Sequence, residues 1–325
     1  MRQVVLIFSR ILALLVIAAV VGILVFTPAQ RPPSETNVIV TTEKLWRGGY
    51  LFTAVLGCAV CHSERNWELY GAPPIEPFGG GRACEESADA QPGLGGDFPG
   101  TVCFRNISQH KQYGIGAWTD GEIMRAVREG VGRDGEALFP TMPYFIYRNI
   151  SDYDLDALVA YMRSLPEVDN QLPPTRLDFP VNVAIRFAPQ PLSEEVPAPA
   201  MSDRVARGRY LAEVARCGFC HTQRDKRTRM PLEGKGFAGG AEFSSFDGIV
   251  YSPNLTPHET GIGDMSESEF VRMFKKHIEP KKVAKEKNSI MPWASYAQMT
   301  KEDLGSIYHF LTSLPPVDMK TPDET

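Results

Sequence analysis

The sequence predicts a mostly α-helical protein built from two tandem copies of one module. A set of short words recurs in the same order in residues 43–166 and 201–319. Apolar residues near the end of each copy recur every three or four positions, which is the helical period. The stretch between the copies, residues 167–200, is rich in proline and has little helical pattern. It therefore predicts an extended linker between two domains.

The first 30 residues predict an N-terminal transmembrane helix. Val4–Phe26 is 23 residues long and apolar apart from Ser9, Arg10 and the neutral Gly22, and a spanning helix needs about 20 apolar residues. Arginines at the start of this run favour a cytoplasmic N-terminus and an exported body. A cleaved export signal is the alternative. Either interpretation predicts a protein of the bacterial inner membrane or periplasm, with its domains facing the periplasm.

The composition is that of a globular protein and argues against nucleic acid as a partner. The chain has 325 residues, of which 43% are hydrophobic and 22% charged, and its net charge is −5. Nucleic-acid-binding domains instead carry a basic excess. Residues 43–166 hold 11 basic and 16 acidic side chains, whereas residues 201–319 hold 17 and 15. A run of lysines between Lys275 and Lys287 supplies much of that difference.

The repeated words follow one another at similar offsets, so each copy predicts one complete structural unit. From first copy to second, they are Arg47-Gly-Gly-Tyr50 and Arg207-Gly-Arg-Tyr210, Phe78-Gly-Gly-Gly81 and Phe237-Ala-Gly-Gly240, Asn106-Ile-Ser and Asn254-Leu-Thr, and Gly114-Ile-Gly116 and Gly261-Ile-Gly263. Helix starts recur as well. Capping boxes, in which a hydroxyl and a carboxylate each satisfy a free amide, are predicted at Thr119 and Ser266, and a last helix near Ser151 and Thr300.

Each copy also contains the word Cys-x-x-Cys-His, as Cys58-Ala-Val-Cys61-His62 and Cys217-Gly-Phe-Cys220-His221. This word is the attachment site of c-type haem. Two thiols bond the vinyl groups of the porphyrin, and the imidazole that follows binds the iron. The sequence therefore predicts two covalently bound haems c, one in each module.

Two other uses of these cysteines need weighing. A redox dithiol of the thioredoxin type needs a βαβ context, and none is visible in the sequence. Paired Cys-x-x-Cys units can also form a zinc site. Here the pairs lie about 160 residues apart, and each carries a histidine at the same offset, so haem attachment is the favoured interpretation.

Haem iron takes a second axial ligand, and Met142 and Met291 are the candidates. Each is followed by proline just before the predicted last helix, and each lies 23 residues before a Leu-Pro pair. Methionine opposite histidine raises the reduction potential and closes the iron to substrates. His258 and His277 are alternative ligands in the second module, and methionine also commonly fills core gaps.

Cys84 and Cys103 occur only in the first module, where the segment between them is eleven residues longer than in the second. In an exported protein we expect these two to form a disulfide that fastens the longer loop. Two separate buried thiols are the alternative.

Further words resemble a known family. Asn106-Ile-Ser, Gly114-Ile-Gly-Ala-Trp-Thr-Asp-Gly-Glu122 and Thr141-Met-Pro-Tyr144 look like the cytochrome c subunits of bacterial membrane-bound alcohol and gluconate dehydrogenases. The resemblance implies class I-like cytochrome c domains that take electrons from a dehydrogenase and pass them to quinone or an oxidase. It implies haem attachment through Cys58, Cys61, Cys217 and Cys220, with iron ligated by His62, Met142, His221 and Met291.

This chain differs from that family in features that bear on the identity of its redox partner. Its better-known members carry three haem modules, and this chain has two. Gly263-Asp-Met-Ser replaces the Trp-Thr-Asp word in the second module, and the lysine run is a further difference. The predicted function is therefore a relay of single electrons between a dehydrogenase or respiratory complex and a downstream acceptor, without a catalytic residue. A dihaem peroxidase or sulfur-compound oxidase, or a fixed subunit of a terminal oxidase, is the alternative.

Overall fold

A computed structural model describes residues 2–25, 28, 30–85, 98–225, 227–228, 230–245, 248–284 and 287–320. The chain is mostly helical, as predicted, with a few short strands. A long helix, α1 (Arg2–Val25), comes first, and its described apolar side chains, including Phe8 and Leu14, are exposed. Within the described residues, no helix has the length and apolar character that crossing a membrane requires. The predicted transmembrane helix is therefore not supported by the structure.

The two sequence repeats, residues 43–166 and 201–319, form matching helices and strands in the same order, and a π-helical turn is described in the first repeat alone. The first repeat contains α2 (Thr42–Tyr50), a π-helical turn (Leu51–Val55), α3 (Cys58–His62), β1 (Arg82–Glu85), β2 (Gly100–Phe104), α4 (Asp120–Glu129), α5 (Tyr144–Tyr147) and α6 (Asp152–Arg163). After the linker, the second repeat contains α8 (Arg204–Val214), α9 (Cys217–Cys220), β4 (Glu242–Ser245), β5 (Gly248–Tyr251), α10 (Glu267–Lys275), α11 (Trp293–Tyr296) and α12 (Lys301–Thr312). The limits of the two domains stay a prediction.

The predicted helix starts are confirmed by their hydrogen bonds. Thr119 and Ser266 each accept from the backbone three residues on, and the glutamate there returns a bond to the cap, so α4 and α10 begin with capping boxes. The hydroxyls of Ser151 and Thr300 cap α6 and α12 in the same way, without the returning glutamate. Because the free amides at these helix N-termini are hydrogen-bonded at matching positions, the corresponding helices of both repeats begin at the same places.

Each repeat is built on a close crossing of its first and last helices. A Cβ added to Gly48 of α2 would lie 2.0 Å from the Ala157 carbonyl oxygen of α6. A Cβ added to Gly208 of α8 would lie 1.8 Å from the Ser306 carbonyl oxygen of α12. Only glycine lets the backbones approach this closely, which explains the Arg-Gly word at the same place in both copies.

A short hairpin follows the haem word in both repeats. β1 pairs antiparallel with β2, and β4 pairs antiparallel with β5. The predicted disulfide between Cys84 and Cys103 is confirmed and joins β1 to β2. Residues 86–97, which hold most of the longer loop of the first repeat, lie outside the described residues.

The proline-rich segment 167–200 runs along the first repeat. It contains a two-residue strand, β3 (Arg176–Leu177), which pairs antiparallel with β2, and a short helix, α7 (Val181–Ala184), continued by a 3-10 turn (Ile185–Phe187). Farther on, the Val196 carbonyl accepts from the amide of Asp152. Backbone contacts thus hold the linker against the first repeat at two places.

The two repeats meet through a reciprocal pair of polar contacts. The Tyr50 hydroxyl of the first repeat donates to Asp303 of the second at 2.5 Å. The Tyr210 hydroxyl of the second donates to Asp154 of the first at 2.7 Å. Both carboxylates are buried, with 1% of the surface of Asp303 and 2% of that of Asp154 exposed. The same patch therefore serves both sides, as in an interface with two-fold symmetry.

Arginines complete this network. Arg47 donates two hydrogen bonds of 2.7 Å to the Asp154 carboxylate. Arg207 approaches Asp303 at 2.5 Å as an ion pair, but that carboxylate oxygen lacks hydrogen-bond geometry to it. Each buried carboxylate is thus held by an arginine of its own repeat and a tyrosine of the other.

Replacing Gly208 with alanine should destabilise the fold. Alanine by itself favours a helix over glycine by about 1 kcal/mol, but the added methyl meets a backbone oxygen that cannot move away. We expect the free energy of unfolding to fall by about 1–3 kcal/mol, the usual cost of overpacking, measured by denaturant titration. Gly236→Ala is the control, because a Cβ there meets nothing within 4 Å. An equal or higher stability of G208A would contradict the close crossing.

Candidate functional site

The two Cys-x-x-Cys-His words form matching helical turns, α3 and α9. Each turn is preceded by a residue in the left-handed conformation: Gly57 at φ 69° and ψ 31°, and Arg216 at φ 65° and ψ 21°. This residue reverses the chain after the preceding helix and lets the cysteines start a new turn. Both cysteines of each word then lie within one helical turn, as attachment to one porphyrin requires.

A cavity of about 370 Å³ in the first repeat brings the predicted residues together. Its lining includes Cys58, Cys61, His62 and Met142. The remaining wall is largely apolar, with contributions from Ile107, Ile115, Trp118, Val127, Leu158 and Met162. An apolar slot with two thiols, one imidazole and one thioether fits the needs of a covalently held porphyrin.

The two histidines are held in one tautomer. His62 Nδ1 lies 2.8 Å from the carbonyl oxygen of Arg105, and His221 Nδ1 lies 2.9 Å from that of Pro253. A carbonyl can only accept, so the proton sits on Nδ1 and the Nε2 lone pair is free. Burial lowers the pKa of both imidazoles, which keeps them neutral. This is the arrangement in which histidine ligates a metal.

The two methionines occupy matching turns. Met142 is followed by α5 and Met291 by α11, and in each case the methionine carbonyl accepts from the amide two residues on at 2.8 Å. Both side chains are partly buried and pack against the hydrophobic core. The structure thus places each methionine in a fixed turn, and it places Met142 in the same cavity wall as the cysteine pair and His62.

Two buried tyrosines, which the sequence analysis did not single out, fasten these turns. The Tyr147 hydroxyl donates to the Leu56 carbonyl at 2.7 Å, and the Tyr296 hydroxyl donates to the Ala215 carbonyl at 2.6 Å. Both acceptors lie within two residues of the first cysteine of a haem word. One signal in the sequence could have identified these tyrosines: each lies five residues after the proposed methionine ligand of its repeat.

The cysteines do not have the properties of a redox dithiol. Burial raises the pKa of Cys58 and of Cys217 to about 12, which disfavours the thiolate that a redox dithiol needs. Among the described residues, no group of three or more His, Cys, Asp or Glu side chains could hold a metal ion.

The alternative histidine ligands are engaged elsewhere. The His277 ring stacks on Tyr70 with centroids 5.0 Å apart and lies 4.9 Å from the Trp293 ring. His258 Nδ1 lies 3.0 Å from the Thr260 hydroxyl within its own loop. These contacts give both side chains structural roles and favour methionine as the second ligand.

The lysine run turns out to be part of the contact between the repeats. The Lys281 carbonyl accepts from the Tyr70 amide at 2.9 Å, and the Val283 amide donates to the Glu68 carbonyl at 2.9 Å. Lys275 is a structural donor, with Nζ 2.8 Å from the Ala297 carbonyl. Four lysines of the run remain exposed, and Lys285 lies outside the described residues. The exposed members are Lys276, Lys281, Lys282 and Lys287.

Comparison with known proteins finds relatives that are named as c-type cytochromes. No family model matches the chain. A protein of Cereibacter sphaeroides named "Diheme cytochrome c-type" is 30% identical over 263 residues, which cover 79% of this chain and 82% of that protein.

Larger relatives are cytochrome subunits. The cytochrome c subunit of a quinone-dependent alcohol dehydrogenase from Gluconacetobacter polyoxogenes is 29% identical over 315 residues, covering 92% of this chain. The fructose dehydrogenase cytochrome subunit of Gluconobacter japonicus is 29% identical over 254 residues, covering 75% of this chain and 47% of that subunit. This chain spans only 61% of the length of the alcohol dehydrogenase subunit.

Proposed function

This chain belongs to the dihaem c-type cytochrome family, and we propose that it relays single electrons between a dehydrogenase or respiratory complex and a downstream acceptor. One observation carries the proposal. Two thiols, a neutral histidine with a free Nε2 and a methionine line one cavity in the first repeat. The second repeat keeps the matching elements and the matching histidine hydrogen bond.

The roles of the residues follow from this arrangement. Cys58 and Cys61 would hold one haem c and Cys217 and Cys220 the other, so that each repeat acts as one haem-binding domain. His62 with Met142 would ligate the first iron, and His221 with Met291 the second. A bound haem supplies reversible one-electron exchange, and the chain keeps it dry and at a suitable potential.

Ligation by a methionine as well as a histidine would favour a carrier over an enzyme. A dihaem peroxidase or sulfur-compound oxidase needs one haem with an open or displaceable position. The two repeats instead present the same Met-Pro turn at the same place. A fixed subunit of a terminal oxidase would share this chemistry and differ only in the permanence of its association.

Replacing either methionine should leave one haem iron without its second axial ligand. In Met142→Ala and in Met291→Ala we expect half of the haem to become high-spin, because alanine cannot ligate iron, while the covalent haem content stays at two per chain. Visible and electron paramagnetic resonance spectra measure this. Met124→Ala is the control, since Met124 packs against the core but does not line the cavity. High-spin haem in the unmodified protein would favour the enzyme, and an unchanged spectrum would exclude that methionine as ligand.

We propose a dehydrogenase as partner because relatives of this chain are cytochrome subunits of dehydrogenases.

We also propose that the two repeats work in the periplasm at the inner membrane. The cystine between Cys84 and Cys103 supports an oxidising compartment. The N-terminal segment would serve as an export signal or for membrane attachment. Fractionation of producing cells should recover the haem-containing chain outside the cytoplasm, and recovery from the cytoplasm would contradict this location.

The exposed lysines of the second repeat are proposed to attract an acidic redox partner. We expect Lys281→Glu combined with Lys282→Glu to slow reduction by an acidic donor, reduced flavodoxin, about tenfold at low salt, because electrostatic steering raises encounter rates by that order. The difference should vanish at about 1 M salt, where the Debye length is about 3 Å. Stopped-flow measurements with Lys320→Glu as control check this. Equal slowing in K320E, or no dependence on salt, would exclude the docking role.

A further inference from the structure

Arg216 lies between the two haem words. In the chain it directly precedes Cys217 of the second repeat, yet its side chain lines the cavity of the first repeat. Its electrostatic neighbours come from both repeats: Tyr147 and Cys61 from the first, and Tyr296 and Cys220 from the second. One guanidinium therefore borders both proposed haem sites.

The first repeat leaves room for this side chain. The residue that matches Arg216 is Gly57, and a Cβ added there would lie 3.1 Å from an Arg216 Nη atom. Any side chain at position 57 would therefore crowd the guanidinium. Glycine also suits the left-handed backbone at this position.

Arginine at position 216 is held against its own backbone preference. Its φ of 65° lies in the left-handed region, where non-glycine residues are strained. The first repeat uses glycine in the same conformation, so the turn itself does not require arginine. Residues kept in such conformations cluster at functional sites.

Within the described part of the chain, no carboxylate neutralises the positive charge of Arg216. A hydrogen bond joins the guanidinium to the Tyr296 hydroxyl, while its buried Nε has no hydrogen-bond partner among the described residues. Among the ion pairs between described residues, none includes Arg216. Arginine stays protonated in proteins, so the site carries a permanent cation next to neutral thiols and hydroxyls.

We propose that Arg216 sets the reduction potential of the haem pair, by placing one fixed positive charge beside both attachment turns. The inference rests on the proposed function, because it needs haem in the two sites. A haem iron loses one positive charge on reduction. A nearby fixed cation therefore favours the reduced form, and low-dielectric surroundings strengthen the effect. Arg216 therefore acts as a positioning residue, because it contributes a fixed charge and does not ligate the iron. That charge makes the relay a better electron acceptor.

The test is a spectroscopic redox titration of the full chain with haem bound. In Arg216→Gln we expect the equilibrium constant for reduction of at least one haem to fall tenfold or more, which corresponds to a midpoint about 59 mV lower for a one-electron couple. Arg216→Lys at pH 6, where the lysine keeps a positive charge, should stay within about twofold of the unmodified protein. Arg227→Gln removes the same charge from an exposed site of the second repeat and should change neither midpoint.

Three results would overturn the inference: unchanged midpoints in R216Q, an equal shift in R216K, or an equal shift in R227Q. Covalent haem content and the spin state of each variant are measured alongside. They show whether a shift arises from lost ligation rather than from lost charge. Absence of bound haem in the unmodified protein would instead contradict the proposed function, and the inference with it.

Discussion

The arrangement of the two repeats depends on two buried carboxylates, Asp154 and Asp303. Each lies in the first turn of the last helix of its repeat, and each is held by an arginine of its own repeat and a tyrosine of the other. Removing one partner from a buried charge typically costs about 3–5 kcal/mol, because the remaining charge is left uncompensated. The network therefore makes a single relative orientation of the repeats strongly preferred, and the placement of both haem words follows from it.

This interface also places the two haem words next to each other, so that residues of both repeats line one cavity. The first helix of each repeat supplies the interface tyrosine and then leads into the haem word, so fixing Tyr50 and Tyr210 also fixes the two turns that begin at Cys58 and Cys217. Arg216 can line the cavity of the other repeat only because the turns lie next to each other. A proposed relay over two haems needs such proximity, and here the same contacts that stabilise the fold provide it.

Local chemistry could be predicted from the sequence, and contacts between the repeats could not. The cysteines, histidines and methionines follow from short words, the helix caps from spacing, and the disulfide from its occurrence in one copy. The Tyr–Asp pairs join residues more than 50 positions apart, so no local pattern contains them. Hydropathy predicts a transmembrane helix that the structure does not support. The backbone pairing of the lysine run with the first repeat is a contact of the same long-range kind.

The reciprocal interface also bears on how such a chain can arise. An interface that uses the same residues on both sides is the kind that joins two copies of one protein. In a homodimer, the residue before the haem word would be identical in both subunits, so either two guanidiniums or two glycines would meet at that point. Fusion of the copies into one chain removes this restriction. Positions 57 and 216 can then differ, so that a single charge can stand at an otherwise symmetric contact.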